Sequence, residues 1–340
     1  MMRKFLFAIA ACALSMTACD SNGNEPNNGG GDTEIEAPAL TEGITAEAYY
    51  KGDPEDAGFA SYWINFYPDD IEIDDFGDIT GDGYVLCISF FAPQSGNPDY
   101  ATLSAGTYSA SADAANMTFA SENAEESYLL INKDGSTKQI ALTAGTVEVK
   151  TYGKIYEIVC NLTLEGGEAY EYKYVGELVF RNRSGNGNLT TLTENKTVSD
   201  LSYGYGVLFG ESIFEGAESD MAYIALGDDD FDVLALTGKG TGILIYFNIP
   251  VGATEIPDGT YTMVKSGASI PAQTLTPGMI ESIYVMGTWY FSGIHEAALC
   301  DGSVTISHTD SDYDISFELK DGYGHTVTGS YKGELEIEAE

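Results

Sequence analysis

A chain of 340 residues, 44% of them apolar, has room for about two ordinary domains with sizeable cores. Acidic residues outnumber basic ones 53 to 15, for a formal net charge of −38. That balance excludes the basic footprint that nucleic-acid binding needs to displace phosphate counterions, and it offers no electrostatic grip on anionic lipid.

At the N-terminus, Arg3 and Lys4 precede a short apolar run from Phe5 to Leu14. A bilayer-spanning helix takes about 20 residues, so this run reads as an export signal instead. Small residues then lead to Met16-Thr17-Ala18-Cys19. These residues resemble the lipobox of bacterial lipoproteins, where a peptidase cuts before the cysteine and the new N-terminal Cys carries the lipid. The resemblance makes residues 1–18 a signal peptide and Cys19 the lipidated residue. Ile9-Ala10-Ala11-Cys12 fits the pattern loosely, but cleavage there would leave the signal only a few apolar residues. Residues 19–43 are rich in Asn, Gly, Glu, Pro and Thr, bury too little to offset chain entropy, and read as a flexible tether. Polar and acidic residues after the lipid cysteine, here Asp20 and then Glu25, resemble the export pattern of Bacteroidales-type surface lipoproteins. The expected address is therefore the outer membrane, facing the cell surface, with the periplasmic face as the alternative.

The body of the chain is duplicated. The stretch from Gly145, GTVEVKTYGKIYEIVCNLTLEGGEAYEYKYVGEL, aligns without a gap on the stretch from Gly302, GSVTISHTDSDYDISFELKDGYGHTVTGSYKGEL. Tyr156/Tyr313, Ile158/Ile315, Leu162/Leu319, Tyr174/Tyr331 and Gly176/Gly333 match. Upstream, Val85–Pro93 matches Gly242–Pro250 at the same offset, and Gly106-Thr107-Tyr108 matches Gly259-Thr260-Tyr261 at a slightly shorter one. Two copies follow, 44–184 and 199–340, with residues 185–198 as a linker. Apolar and polar residues alternate, as in Tyr313, Ile315, Phe317 and Leu319 against Asp314, Ser316, Glu318 and Lys320. Such alternation marks half-buried strands, and turns such as Asp321-Gly322 and Gly166-Gly167 punctuate it. No amphipathic helix stands out. The sequence predicts an all-β chain of two tandem homologous antiparallel β-sandwich-like domains with about 8 to 9 strands each, lipocalin-like β-barrels being the alternative. The repeated motifs (G-T-Y, G-[ST]-V, Y-x-I and Y-x-G-x-L) resemble the small β-domains of Bacteroidales-type surface lipoproteins across both copies. They sit at core and turn positions, so the resemblance implies a fold and an envelope location and carries over no catalytic residue.

Repeat alignment puts Cys160 at the core position of Phe317, and Cys87 at Leu244, on the face opposite Leu86, Ile88 and Phe90. Thiols on opposite faces of a sheet do not meet disulfide geometry, so no Cys87–Cys160 bridge is expected. Cys300 opens a strand. The acid-rich loop YPDDIEIDDFGDITGDG carries Asp69, Asp70, Asp74, Asp75 and Asp78, and its counterpart GDDDFDVLALTG carries Asp228, Asp229, Asp230 and Asp232. Clustered carboxylates can supply the oxygens calcium takes, but EF-hand spacing is missing. Calcium at the first loop is thus weighed against a plain solvated acidic surface, and no other cofactor is expected. Tyr62, Trp63, Tyr284, Trp289 and Tyr290 are candidates for a sugar-stacking platform, with burial in the core as the alternative. His295, His308 and His325 occur only in the second copy, at no metal-ligand spacing, and read as surface histidines. Serine-hydrolase, zinc-protease and P-loop motifs are missing, and nothing marks a glycosidase carboxylate pair. The expected function is that of a lipid-anchored cell-envelope binding protein recognising a glycan or a protein partner at the cell surface. A structural or adhesive surface component, such as a fimbria-type accessory, is the alternative. The final YKGELEIEAE reads as part of its own last strand rather than as a donor strand, which counts against it. A glycan-active enzyme ranks third.

Overall fold

The computed structural model describes residues 38–339 apart from 54, 70, 74–78, 81, 213, 215–216, 266–268 and 282–283. Residues 1–37, expected to hold a signal peptide, the lipidated Cys19 and most of a tether, lie outside the described residues, as do Asp70, Asp74, Asp75 and Asp78. The chain is all-β: its helical content among the described residues is one 3-10 turn, Pro98–Tyr100, and no helix is long and apolar enough to cross a membrane.

Repeat 1 comprises β1 (Ile44–Gly52), β2 (Ala60–Pro68), β3 (Gly83–Ala92), β4 (Gly106–Ser111), β5 (Thr118–Ala120), β6 (Tyr128–Lys133), β7 (Ser136–Tyr152), β8 (Ile155–Leu164), β9 (Ala169–Glu177) and β10 (Phe180–Asn182). They form one ten-stranded sheet in the order β9-β8-β7-β4-β5-β3-β2-β1-β10, with β6 bridging β3 and β7. The long β7 turns the corner: its first half pairs with β6, its second half with β4 and β8. The sheet curls, and β3, β6, β7, β4 and β5 close into a small barrel. Repeat 2 comprises β11 (Lys196–Val198), β12 (Tyr203–Glu211), β13 (Asp220–Gly227), β14 (Thr241–Ile249), β15 (Gly259–Met263), β16 (Thr274–Leu275), β17 (Trp289–Ser292), β18 (His295–Ala298), β19 (Asp301–Thr309), β20 (Asp312–Lys320), β21 (Thr326–Glu334) and β22 (Glu336–Ala339). Its twelve-stranded sheet runs β11-β21-β20-β19-β15-β16-β14-β13-β12-β22, with β17 on β14 and β18 on β17. The additional strands are short ones such as β5, β10, β16 and β22, which are too brief to show alternation. Several of them pair in parallel, as β10 does with β1 and β22 with β12, where sequence had suggested antiparallel pairing throughout.

Register carries the duplication down to residue pairs. Ile158 lies opposite Tyr174 and Val149, as Ile315 lies opposite Tyr331 and Ile306. The shared motifs have packing reasons. Tyr108 and Tyr261 are buried and donate their hydroxyls to the carbonyls of Ser104 (2.7 Å) and Pro257 (2.8 Å). The rings of Tyr174 and Tyr331 fold over Gly176 and Gly333, with hydroxyls donating to the carbonyls of Glu177 and Glu334. Gly145 and Gly302 take φ of 126° and 107°, and a Cβ on either would run into the backbone of Asn161 or Glu318.

One cross-strand pair is swapped between the copies. Cys160 faces Tyr172 across β8 and β9, whereas Phe317 faces Gly329 across β20 and β21. Each pair sets one large ring against one small residue, from opposite strands, so both sites fill. A Cβ on Gly329 would collide with the Phe317 ring and approach the Val198 carbonyl oxygen at 2.9 Å. Gly329→Ala is therefore expected to cost about 1–3 kcal/mol. In a Phe317→Cys background that cost should shrink, which a double-mutant cycle in urea would measure. Equal costs in both backgrounds would assign the clash to the β11 backbone and not to the ring.

The inner faces form one apolar core per repeat, and Cys160 sits in the first, as expected. The outer faces differ. In repeat 2 a second apolar layer (Met221, Leu244, Trp289, Phe291, Ala298) lies beneath Phe231 and Leu236. In repeat 1 the corresponding β1–β2–β3 face buries Glu47, Cys87 and Ser89, with Arg181 beside it on β10. Cys87, Cys160 and Cys300 are all free thiols. Burial pushes the Cys87 and Cys160 thiols up to about 12, which suits inert core residues.

Candidate functional site

The segment 185–198, expected as a linker, is fixed at both ends. The buried Asp99 carboxylate accepts from the Asn182 side-chain amide (2.7 Å), the backbone N–H groups of Asn188 and Leu189 (2.8 Å each) and the Tyr323 hydroxyl (3.0 Å). The linker then adds to the edge of β18, Ala298 N–H donating to Leu189 O and Thr191 N–H to Glu296 O (2.9 Å each). Residues 196–198 already belong to repeat 2 as β11. A second tie runs through charge. Arg181 lies between Glu47 (3.7 Å) and Glu296 (3.6 Å), and Arg183 forks onto Glu296, with Nη2 2.8 Å from Oε2 and Nη1 bonded to Oε1. Burial alone would push the Glu296 carboxyl up, but Arg183 and Arg181 outweigh it and hold it below the usual carboxylate range.

Asp69 and Ile71, at the start of the first acid-rich loop, lie across from the acid-rich loop of repeat 2. They bound a cleft of about 440 Å³ between the repeats, lined by Thr45, Tyr67, Asp69 and Ile71 on one side and by Asp229–Asp232 and Thr237–Lys239 on the other. Asp69 accepts a hydrogen bond from the Thr45 hydroxyl (2.6 Å), and its second oxygen lies 3.9 Å from the Lys239 ammonium across the cleft. The loop of repeat 2 is shaped by its own carboxylates. Asp228 accepts from the N–H groups of Asp230 and Thr241, Asp232 from those of Leu234 and Ala235, and Asp229 from the Ser202 hydroxyl. Phe231 anchors the loop from below, stacked on Phe291 (6.0 Å). These aspartates thus stabilise a turn through backbone donors. Among the described residues no group of three or more His, Cys, Asp or Glu is placed to hold a metal ion. Of the calcium candidates only Asp69 is described.

The five aromatic candidates do not come together. Tyr62, Trp289 and Tyr290 are core residues: Tyr62 donates to Pro93 O (2.8 Å), Trp289 donates its indole N–H to Met286 O (2.7 Å), and none presents a ring face to solvent. Their size made burial the cheaper arrangement, and these three are withdrawn as ligand contacts. Trp63 is half-buried on the outer face of repeat 1, with the Lys51 ammonium 2.9 Å from its ring centre. Burial there pushes the Lys51 amine down to about 8. Tyr284 borders a small apolar depression with Tyr223, Tyr246 and Leu234. The histidines also stay apart. His308 bonds Asp258 and His325 bonds Asp321. His295, expected on the surface, is half-buried against Thr191, and burial followed by Lys196 pushes it down to about 4.

The cleft residues Thr45, Tyr67 and Lys239 escaped sequence reasoning. The available signal was the placement of both acid loops at equivalent points of the repeat, which directs them to corresponding surfaces. Compared with family models, with curated proteins and with solved structures, the chain matches none.

Proposed function

We propose that this chain is a lipid-anchored cell-envelope recognition protein that binds a glycan in the cleft between its two repeats. The observation carrying this reading is the cleft itself: Asp69 and Ile71, at the start of the first acid-rich loop, face the loop of repeat 2, and a buried clamp joins the two repeats. Its lining suits a hydroxyl-rich ligand. Exposed carboxylates of Asp229 and Asp230 accept hydrogen bonds from sugar hydroxyls, Lys239 and Thr237 can donate, and Ile71 offers apolar contact to the C–H face of a ring. Those aspartates are exposed, whereas a glycosidase acid needs an apolar setting, so recognition is favoured over hydrolysis. Anchorage through Cys19 at the outer membrane, facing the surface, completes the proposal.

The test is a glycan array probed with the full mature chain, with and without a chelator. Binding is expected, weakened roughly tenfold or more by Asp230→Ala or Lys239→Ala, a loss of about 1.4 kcal/mol for such polar contacts. Silence across the array would overturn the ligand class and point to a protein partner. Binding untouched by either substitution would place the site elsewhere.

A further inference from the structure

Among the described residues, the two repeats treat one equivalent sheet edge differently. In repeat 2 the outer edge of β21 is covered by β11, which pairs in parallel through Lys196–Val327, Thr197–Thr328 and Val198–Gly329. In repeat 1 that edge belongs to β9, the end strand of its sheet. Among the described residues only Thr41 reaches it, donating its N–H to Val175 O while Val175 N–H donates to Thr41 Oγ1 (2.8 Å each). The residues just before it, Pro38–Leu40, form no strand, and Leu40 is 55% exposed. No other described residue pairs with the outer N–H and C=O groups of this nine-residue strand, and an edge of that kind is a template for another strand.

The residues on that edge are self-complementary. Because Val175 turns its N–H and C=O outward, alternation turns those of Lys173 and Glu171 outward too. The side chains of Glu171 and Lys173 are both exposed on the solvent face, while Tyr170 and Tyr172 stack at 6.5 Å on the core side. Run antiparallel to itself, Tyr170-Glu171-Tyr172-Lys173-Tyr174 places glutamate against lysine.

We propose that β9 is the contact strand of a homodimer, two copies pairing antiparallel about a two-fold axis at Tyr172. In this register Glu171 of each copy faces Lys173 of the other, and both belong to the pair type that exchanges two backbone hydrogen bonds. The neighbouring registers that keep outward groups together set Glu171 against Glu171 or Lys173 against Lys173, which like-charge repulsion disfavours. A slip of one residue would set outward groups against inward ones. Lys173 already pairs with Glu157 at 2.7 Å, and its three N–H donors leave room for a second carboxylate. This inference is independent of the glycan reading.

The experiment is cross-linking and mass measurement on the full mature chain. Glu171→Cys/Lys173→Cys, in a Cys300→Ser background, places thiols across a pair whose Cα atoms lie about 5.5 Å apart, within disulfide reach. A disulfide dimer is expected on a non-reducing gel, and from neither single cysteine. By sedimentation, Glu171→Lys and Lys173→Glu should each weaken the dimer roughly tenfold or more, and the double swap Glu171→Lys/Lys173→Glu should restore it. All three side chains substituted are exposed, so unchanged melting would confirm that folding is intact. A chain that stays monomeric from micromolar to millimolar concentration overturns the proposal. So does a dimer indifferent to both single reversals. A dimer seen only after residues 20–37 are deleted overturns it as well, since the chain would then cover its own edge.

Discussion

Glu296→Ala is expected to lose about 3–5 kcal/mol of folding stability in urea at neutral pH. Glu296 is buried, with its side chain 2% exposed, and it neutralises two arginines at once. Its removal leaves Arg183 without the carboxylate it forks onto and leaves Arg181 with Glu47 at 3.7 Å. The partial compensation by Glu47 places the loss at the lower end of that range. The pH dependence follows from the direction of the shift. The carboxyl is held below its ordinary value of 4.5, so its contribution is full above that value and is lost as the pH falls through the lower folded-state value. The difference between wild type and Glu296→Ala should therefore be largest at neutral pH and shrink below about 4.5. Because Glu296 on β18 joins β10 of the other repeat, the variant should also split one unfolding transition into two. Trp63 and Trp289 report the two repeats separately by fluorescence. A loss under about 1 kcal/mol would reduce the clamp to an incidental contact, as most ion pairs nearer the surface are.

Much of the fold was legible because alternation is a local property. Tyr313, Ile315, Phe317 and Leu319 announce β20 without reference to anything else in the chain, and the duplicated motifs announce the same packing twice. What covers the second face of a strand is not local. Phe231 and Leu236 sit in a loop dominated by aspartates, which reads as solvated, yet they fold back as the roof over Trp289 and Phe291. Tyr62, Trp289 and Tyr290 failed as ligand contacts for this reason: alternation places Trp289 on the face opposite Tyr290, but it does not tell that both faces are dry. The acid loops were legible as loops, and their meeting across a cleft was not, since the relative placement of two repeats is set by side chains at the junction. Arg181 and Arg183 gave an unused signal. They are two of the three arginines in a chain poor in positive charge, two residues apart at the end of a repeat. Such a pair suits forked carboxylate recognition rather than a solvated surface.

Asp99 is the other residue whose loss should be large, and it left no trace in any periodic pattern. It follows Asn97 and Pro98 in the 3-10 turn, whose cap is the Asn97 side chain bonded to Asp99 N–H (3.0 Å). That turn aims a carboxylate, 1% exposed, at four donors: two linker backbone amides, the Asn182 amide and the Tyr323 hydroxyl. Only a carboxylate accepts on both oxygens. Asp99→Asn keeps the shape but turns an NH₂ group toward donors, so that either the Asn182 and Leu189 bonds or the Asn188 and Tyr323 bonds to this side chain are lost. A loss of about 3 kcal/mol is expected, since each buried donor left unsatisfied costs about 1–3 kcal/mol. Tyr323→Phe removes the bond to Asp99 and the exposed one accepted from the Asn97 amide (2.9 Å), and should cost about 1 kcal/mol, partly offset because the ring still stacks on Tyr100 (5.4 Å). Urea titration of the three chains gives the comparison, and limited proteolysis adds location: cleavage within 185–190 should appear in Asp99→Asn and not in Tyr323→Phe. If Asp99→Asn unfolds within about 0.5 kcal/mol of wild type, within the range of ordinary surface substitutions, the linker is held by its pairing with β18 and not by the carboxylate. If the loss is as large as expected, glycan binding should weaken along with it, because a junction that yields lets Asp69 and Asp230 drift apart across the cleft.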